Sequence, residues 1–143
     1  MISLRPLTID DYDALRDLWE EAGLPCRPNG RDTRENISSQ IGSDCSIYLV
    51  AEEDDRMVGA ILGTHDGRKG WINRLAVAPD QRKRGIAAML VRAVEERLLE
   101  RGIEIFACQI EDWNETSMSV FDRLGYTRHD DIIYFTKRLR PDV

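Results

Sequence analysis

Leu75-Ala76-Val77-Ala78-Pro79-Asp80-Gln81-Arg82-Lys83-Arg84-Gly85-Ile86-Ala87-Ala88 is the stretch that decides the fold. A short apolar strand stops at Pro79, a basic turn follows, and an amphipathic helix starts at Ile86. Strand, tight turn and helix N-terminus together grip a phosphate. The first helical N–H groups have no partner inside the helix, and the helix dipole favours negative charge there. Gly85 lets the backbone approach a ligand, and Ala87 keeps that approach free of bulk. Arg82, Lys83 and Arg84 add positive charge. The stretch asks for a phosphorylated ligand, with a pyrophosphate as the expected group. A Walker loop would need Gly-Lys-Ser/Thr, and a dinucleotide fingerprint three spaced glycines; neither is present.

The helix after the turn is the clearest periodic element. Ile86, Leu90, Val94 and Leu98 recur on one face, charged residues cover the other, and Gly102 ends it. Upstream, Ile2–Pro6 alternates like a strand, and Thr8-x-x-Asp11 opens a first helix with Tyr12, Leu15, Leu18, Trp19 and Ala22 on one face. A weaker helix carries Ile37 and Ile41. Strands are expected over Ser46–Glu52, Arg56–Thr64, Trp71–Val77 and Ile103–Ile110. Asn114 or Thr116 caps a short helix that stops at Gly125. Tyr126–Arg128 and Asp131–Leu139 read as a terminal pair of strands.

The chain has 143 residues, 42% hydrophobic and 32% charged, which suits one soluble domain over residues 1–143. No apolar run reaches membrane-spanning length, so no membrane partner is expected. The net charge of −6 argues against nucleic acid as the main partner. Cys26, Cys45 and Cys108 have no paired spacing, and only His65 and His129 are present. A disulfide framework and a metal site are therefore not expected, and a cytoplasmic location is.

The segment Arg82-Lys83-Arg84-Gly85-Ile86-Ala87, with its Leu75-x-Val77-x-Pro79 lead-in, resembles motif A of the GCN5-related N-acetyltransferases. Asn114-x-x-Ser117-x-x-Val120-Phe121-x-x-Leu124-Gly125-Tyr126 resembles motif B of that family. The Leu18-Trp19 helix, the Asp66–Gly70 turn and Leu124-Gly125-Tyr126 look closest to the YpeA-type branch. The resemblance implies a mixed α/β fold. Its sheet would be mostly antiparallel, with six to seven strands and about four helices. The fourth and fifth strands would be parallel and splay apart around a pantetheine arm.

The resemblance further implies transfer of an acetyl group from acetyl-CoA directly to an amine, on a small molecule or a protein. Backbone groups of Leu75, Ala76 and Val77 would pair with the pantetheine arm, with the Val77 N–H donating to the thioester oxygen. Backbone N–H groups of Arg82, Lys83, Arg84, Gly85, Ile86, Ala87 and Ala88 would hold the pyrophosphate. Asn114 and Phe121 would line the cofactor. Many relatives carry a tyrosine acid where Phe121 stands and a glutamate base where Gln109 stands. Phenylalanine has no proton to donate. Glu111, two residues beyond Gln109 on the expected strand, is then the base, with Asp112 and Tyr134 as the other nearby groups. The alternative is a non-catalytic acyl-CoA-binding regulatory domain of the same fold. The acceptor would meet Gly23–Arg34, with Arg27, Arg31 and Arg34, and Arg128–Ile133, with Asp130 and Asp131. The chain would be a monomer or a homodimer.

Overall fold

The computed structural model describes residues 1–143. Strand β1 (Ser3–Pro6) leads through a 3₁₀ turn (Ile9–Asp11) into α1 (Tyr12–Glu21) and then α2 (Arg34–Ile41). Three strands follow: β2 (Ser46–Glu53), β3 (Arg56–His65) and β4 (Gly70–Val77). Helix α3 (Ile86–Glu100), strand β5 (Phe106–Cys108) and helix α4 (Glu115–Arg123) complete the regular structure. The strands lie side by side in the order β1-β2-β3-β4-β5. Every pairing is antiparallel except β4 with β5, which is parallel.

Local chemistry accounts for most boundaries. Asp54 and Asp55 both take positive φ, the geometry of a two-residue hairpin whose twist matches its strands. The α3 helix ends where Gly102 enters the left-handed region at φ 78° and the Ile103 N–H donates to the Leu98 carbonyl at 3.0 Å. Asn114 caps α4 by accepting the Ser117 N–H at 3.2 Å.

Each face of the sheet has its own core. Helix α3 packs Ile86, Leu90, Val91, Val94 and Leu98 against Ile47, Leu49, Ile61 and Ile72. Helices α1 and α2 pack Leu15, Leu18, Trp19 and Ile37 against Val50, Ala60, Leu62 and Ala76 on the opposite face. Each fully buried aliphatic side chain contributes roughly 1.5–3 kcal/mol. Helix α3 comes very close because glycines lie beneath it. A Cβ on Gly59 would stand 2.9 Å from Ile86 Cγ2, and one on Gly63 2.9 Å from Val94 Cγ1. At Gly70 a Cβ would collide with Leu98.

One residue of β4 is extra. Leu62 pairs with Arg74 and Gly63 with Ile72, so Asn73 is left as a bulge. The last β4–β5 pair, Ile72 with Cys108, sits directly before it. A bulge bends and twists its strand. Beyond it β4 runs on to Val77 without β5 beside it.

Two expectations are corrected here. The sheet has five strands rather than six or seven, because Tyr126–Arg128 and Asp131–Leu139 form none. Residues 127–139 take part in no backbone–backbone hydrogen bond. A strand exists only against a partner edge, and alternation in the sequence does not supply one. The strand expected over Ile103–Ile110 is cut to Phe106–Cys108 because the bulge removes its neighbour.

The glycine contact gives a direct test. Gly59→Val should cost about 1–3 kcal/mol of stability through overpacking against Ile86 and Leu90. Urea unfolding reads it. An unchanged midpoint would mean that α3 does not rest on Gly59.

Candidate active site

The strand-to-helix loop forms as its residues dictate. A 3₁₀ turn at Pro79–Gln81 leads to Arg82, and Lys83 and Gly85 both adopt left-handed backbone at φ 67° and 79°. Gly85 is the N-cap of α3 and offers no side chain to its N–H groups. Met89 is the first to find an intrahelical partner, donating to the Gly85 carbonyl at 3.0 Å. The N–H groups of Ile86, Ala87 and Ala88 therefore have no acceptor within the helix. A Cβ on Gly85 would meet nothing within 4 Å, so the helix end opens onto free space.

The charges on this loop are not equivalent. Arg84 forms a two-pronged pair with Glu53 at 2.8 and 3.0 Å. That pairing, helped by the N-terminal ammonium, holds the Glu53 carboxyl down to about 2. The Arg84 side chain thus ties the loop to the end of β2, while its backbone stays in the loop. Arg82 and Lys83 are exposed and carry no ion pair.

The open edge of β4 lies beside this helix end. The Ala78 N–H donates to the Val58 carbonyl at 2.9 Å, next to the paired residues Gly59 and Val77. In an antiparallel ladder this makes Gly59–Val77 a non-hydrogen-bonded pair, so the N–H and C=O of Val77 point away from β3. Leu75, two residues back, has the same orientation. On that side β5 has already ended, so these groups face a gap. Ala76 instead exchanges its bonds with Ala60.

A cavity of about 1670 Å³ opens next to this gap, with Asn73, Gln109, Glu111, Asp112, Phe121 and Tyr134 among its walls. The basic loop lies outside it. Glu111 is exposed, and its carbonyl accepts the Asn114 N–H at 2.9 Å. The strand argument for Glu111 does not hold, because β5 stops at Cys108 and Gln109–Glu111 lie beyond it. Both residues nevertheless reach the same cavity. Phe121 is buried and meets Tyr126 edge-on at 5.0 Å between ring centres. The Tyr126 hydroxyl donates to Glu95 at 2.6 Å, and burial together with that carboxylate raises its pKa.

Arg74, which no sequence motif singles out, ties the loop between α1 and α2 to β4. Its guanidinium stacks 4.4 Å above the Trp19 ring, pairs with Asp32 at 3.2 Å, and donates to the Pro25 carbonyl. Asp32 is buried and also accepts the Arg27 N–H at 2.6 Å, while the Tyr12 hydroxyl donates to the Asp32 carbonyl at 2.6 Å. The loop between α1 and α2 is thereby fastened to β4 at its bend. Of the arginines expected there, Arg31 lines the cavity and Arg34 turns away to Asp13 at 3.2 Å. Asp130 is taken by Arg128 at 2.6 Å.

A five-stranded sheet whose parallel pair ends at a bulge, with an open helix N-terminus beside the bared strand edge, is the arrangement that the resemblance to the GCN5-related N-acetyltransferases implies. Residues 12–126 match the Acetyltransferase (GNAT) family, and the chain belongs to it. Acetyltransferase SG1711 of Sodalis glossinidius (strain morsitans) is 33% identical over 141 residues, covering 99% of this chain and 98% of that protein. Among solved structures, the PaiA N-acetyltransferase of Thermoplasma acidophilum in complex with coenzyme A superposes with a TM-score of 0.81 at 19% identity, covering 92% of this chain and 93% of that one. Aminoglycoside acetyltransferase AAC(6')-Iy in complex with a bisubstrate analogue gives 0.82 at 19% identity, covering 96% and 99%. The protein is an N-acetyltransferase of that family.

Arg74→Met should destabilise the protein by roughly 3–5 kcal/mol, the usual cost of leaving a buried charge such as Asp32 unpaired. Adding Asp32→Asn should recover part of the loss, because the two act as a pair. Thermal unfolding of the single and double variants checks this. Strict additivity would sever the link.

Proposed function

We propose that residues 1–143 form one cytoplasmic acetyltransferase domain of the YpeA-type branch, which moves an acetyl group directly onto an amine. The observation that carries the site assignment is the alignment of two sets of unpaired N–H groups. Leu75 and Val77 present theirs along the bared edge of β4, and α3 presents its first turn beside them. A ligand with a peptide-like arm and a pyrophosphate needs that combination. The solved relatives' complexes with coenzyme A and with a bisubstrate analogue support this reading.

Acetyl-CoA supplies an activated acyl group on a thiol leaving group. The chain's own residues do the rest. Backbone N–H groups from Arg82 to Ala88 hold the pyrophosphate, with Arg82 and Lys83 adding free positive charge. The Val77 N–H, which points away from β3, donates to the thioester oxygen, where negative charge develops during attack. Asn114 meets the pantetheine or adenylate part, and Phe121 and Ile86 close the apolar wall. The attacking amine must lose a proton, and Glu111 at the cavity wall accepts it. Phe121 donates none, and no acid is required, since a thiol of pKa ~8.5 leaves readily as its anion.

Acetyl-CoA should raise the melting temperature of the wild type, because a ligand of the folded state alone stabilises it. Gly85→Glu should abolish that shift by placing bulk and negative charge at the helix end. Gly85→Ala carries the left-handed backbone strain without the charge, so it should retain most of the shift. Equal acetyl-CoA affinity in the glutamate variant and the wild type would remove the pyrophosphate assignment.

Glu111→Gln should lower kcat/KM by ~10²-fold or more, the range expected for a general base. Acetyl-CoA affinity should not change. Free-thiol release across an amine library identifies the acceptor and then reads the loss. Wild-type kinetics in the variant would transfer the role to Tyr134 or to water.

A further inference from the structure

The cavity beside the β4–β5 gap is divided by charge. One side belongs to the α1–α2 loop and to β2, β3 and β4, and its charged residues are Arg31, Asp32, Lys69 and Arg74. Asp32 is taken by Arg74 at 3.2 Å, so this side keeps two cations and no spare carboxylate. The other side belongs to α3, α4 and the chain after β5. It contributes Glu95, Glu111, Asp112 and Asp122, and no base. The C-terminal segment adds Arg138, while its Arg128 and Asp130 pair with each other at 2.6 Å. The chain as a whole is acidic, at −6, so the cationic side runs against its average.

Both cations of that side are held in place. The turn before β4 is fixed by Asp66, whose carboxylate accepts the Arg68 and Lys69 N–H groups at 2.9 and 2.8 Å. Lys69 is half-buried and lays its ammonium 5.2 Å from the centre of the Trp71 ring. Arg31 directly precedes Asp32, which is fastened to β4, and its carbonyl accepts the Gln40 side-chain N–H at 3.1 Å. Neither Arg31 nor Lys69 has an ion pair within the chain. The same cavity takes in the Tyr48 and Trp71 rings, which offer apolar surface to a short carbon chain. Opposite charges on two sides of one cavity complement a molecule whose own charges are separated.

We propose that the acceptor is a small amine that carries its own anion, a carboxylate or a phosphate. The proposal rests on the acetyl-transfer reading and names its substrate class. Arg31 and Lys69 hold the anion, Arg31 through a planar fork that matches two oxygens and Lys69 as a point charge. The acidic side draws the amine end, which arrives as an ammonium. Glu111 takes its proton, the nitrogen bonds to the acyl carbon as the carbon–sulfur bond breaks, and the thiolate leaves. A polycationic amine would set an ammonium against Arg31 and Lys69, where like charges repel. An amine without an anion would leave both cations unmatched.

The test uses the full chain and two matched sets of primary amines. One set is δ-aminovalerate, aminopentanol and cadaverine, and the other is phosphoethanolamine, ethanolamine and ethylenediamine. Within a set only the group at the far end changes, and the two sets distinguish a carboxylate from a phosphate. With acetyl-CoA as donor and thiol release as the readout, the anionic member of at least one set should exceed its alcohol in kcat/KM by ~10-fold or more, as expected for charged hydrogen bonds. The diamine should be the poorest member of that set. Arg31→Gln combined with Lys69→Met should erase the preference for the anion, while calorimetry shows unchanged acetyl-CoA affinity. Equal rates within both sets, a diamine that leads, or a preference that survives the double substitution would overturn the proposal. Absence of transfer to every member would overturn it too. The melting shift with acetyl-CoA needs none of these amines, so the acetyl-transfer reading stands or falls separately.

Discussion

The contact on which the rest depends is the near approach of α3 to the sheet over Gly59, Gly63 and Gly70. Side chains of Ile86, Val94 and Leu98 occupy the space that other residues at those positions would fill. The helix therefore has no freedom to rise or slide. Its first turn is fixed above the Gly59–Val77 pair, where β4 is about to end. Unpaired N–H groups of the helix and of the strand edge are thereby held in one frame. Anion binding at a helix end needs only the orphan donors, but joint recognition of an arm and a pyrophosphate needs their relative position fixed.

The Asn73 bulge supplies the second condition. It ends the β4–β5 pairing and bares the strand edge. It also switches the faces of β4. Ile72 belongs to the α3 core, yet Leu75 and Val77 pack on that side too, while Ala76 and Arg74 turn towards α1. A charged residue is thus delivered to the α1 face at the bend, where Trp19 and Asp32 receive it. One inserted residue both opens the cleft and anchors the loop that borders it.

What was legible in the sequence was local. The strand-to-helix turn at Pro79–Gly85, the face of α3, the Asn114 cap and the Leu15–Trp19 face of α1 are set by residues a few positions apart, and each formed where its pattern placed it. What was not legible depended on distant partners. Arg74 shares its strand parity with Ile72, and only the bulge puts them on opposite faces. Extending the strand pattern past Cys108 puts Glu111 on the Gln109 face, but the strand loses its neighbour there. Alternation alone marks the terminal strands, and it specifies faces but not the edge that must receive them. A charged residue at an inward-reading position of β4 was the one available sign of the Arg74–Asp32 pair.

Asn114 shows how a cap restricts chemistry. Its Oδ1 accepts the Ser117 N–H, which sets the orientation of the amide. The NH₂ is then the donor that the cap has to spare, while the oxygen keeps one further lone pair. A partner that brings an oxygen meets two N–H donors at the start of α4. An aspartate there would preserve the cap and leave such a partner no donor to meet.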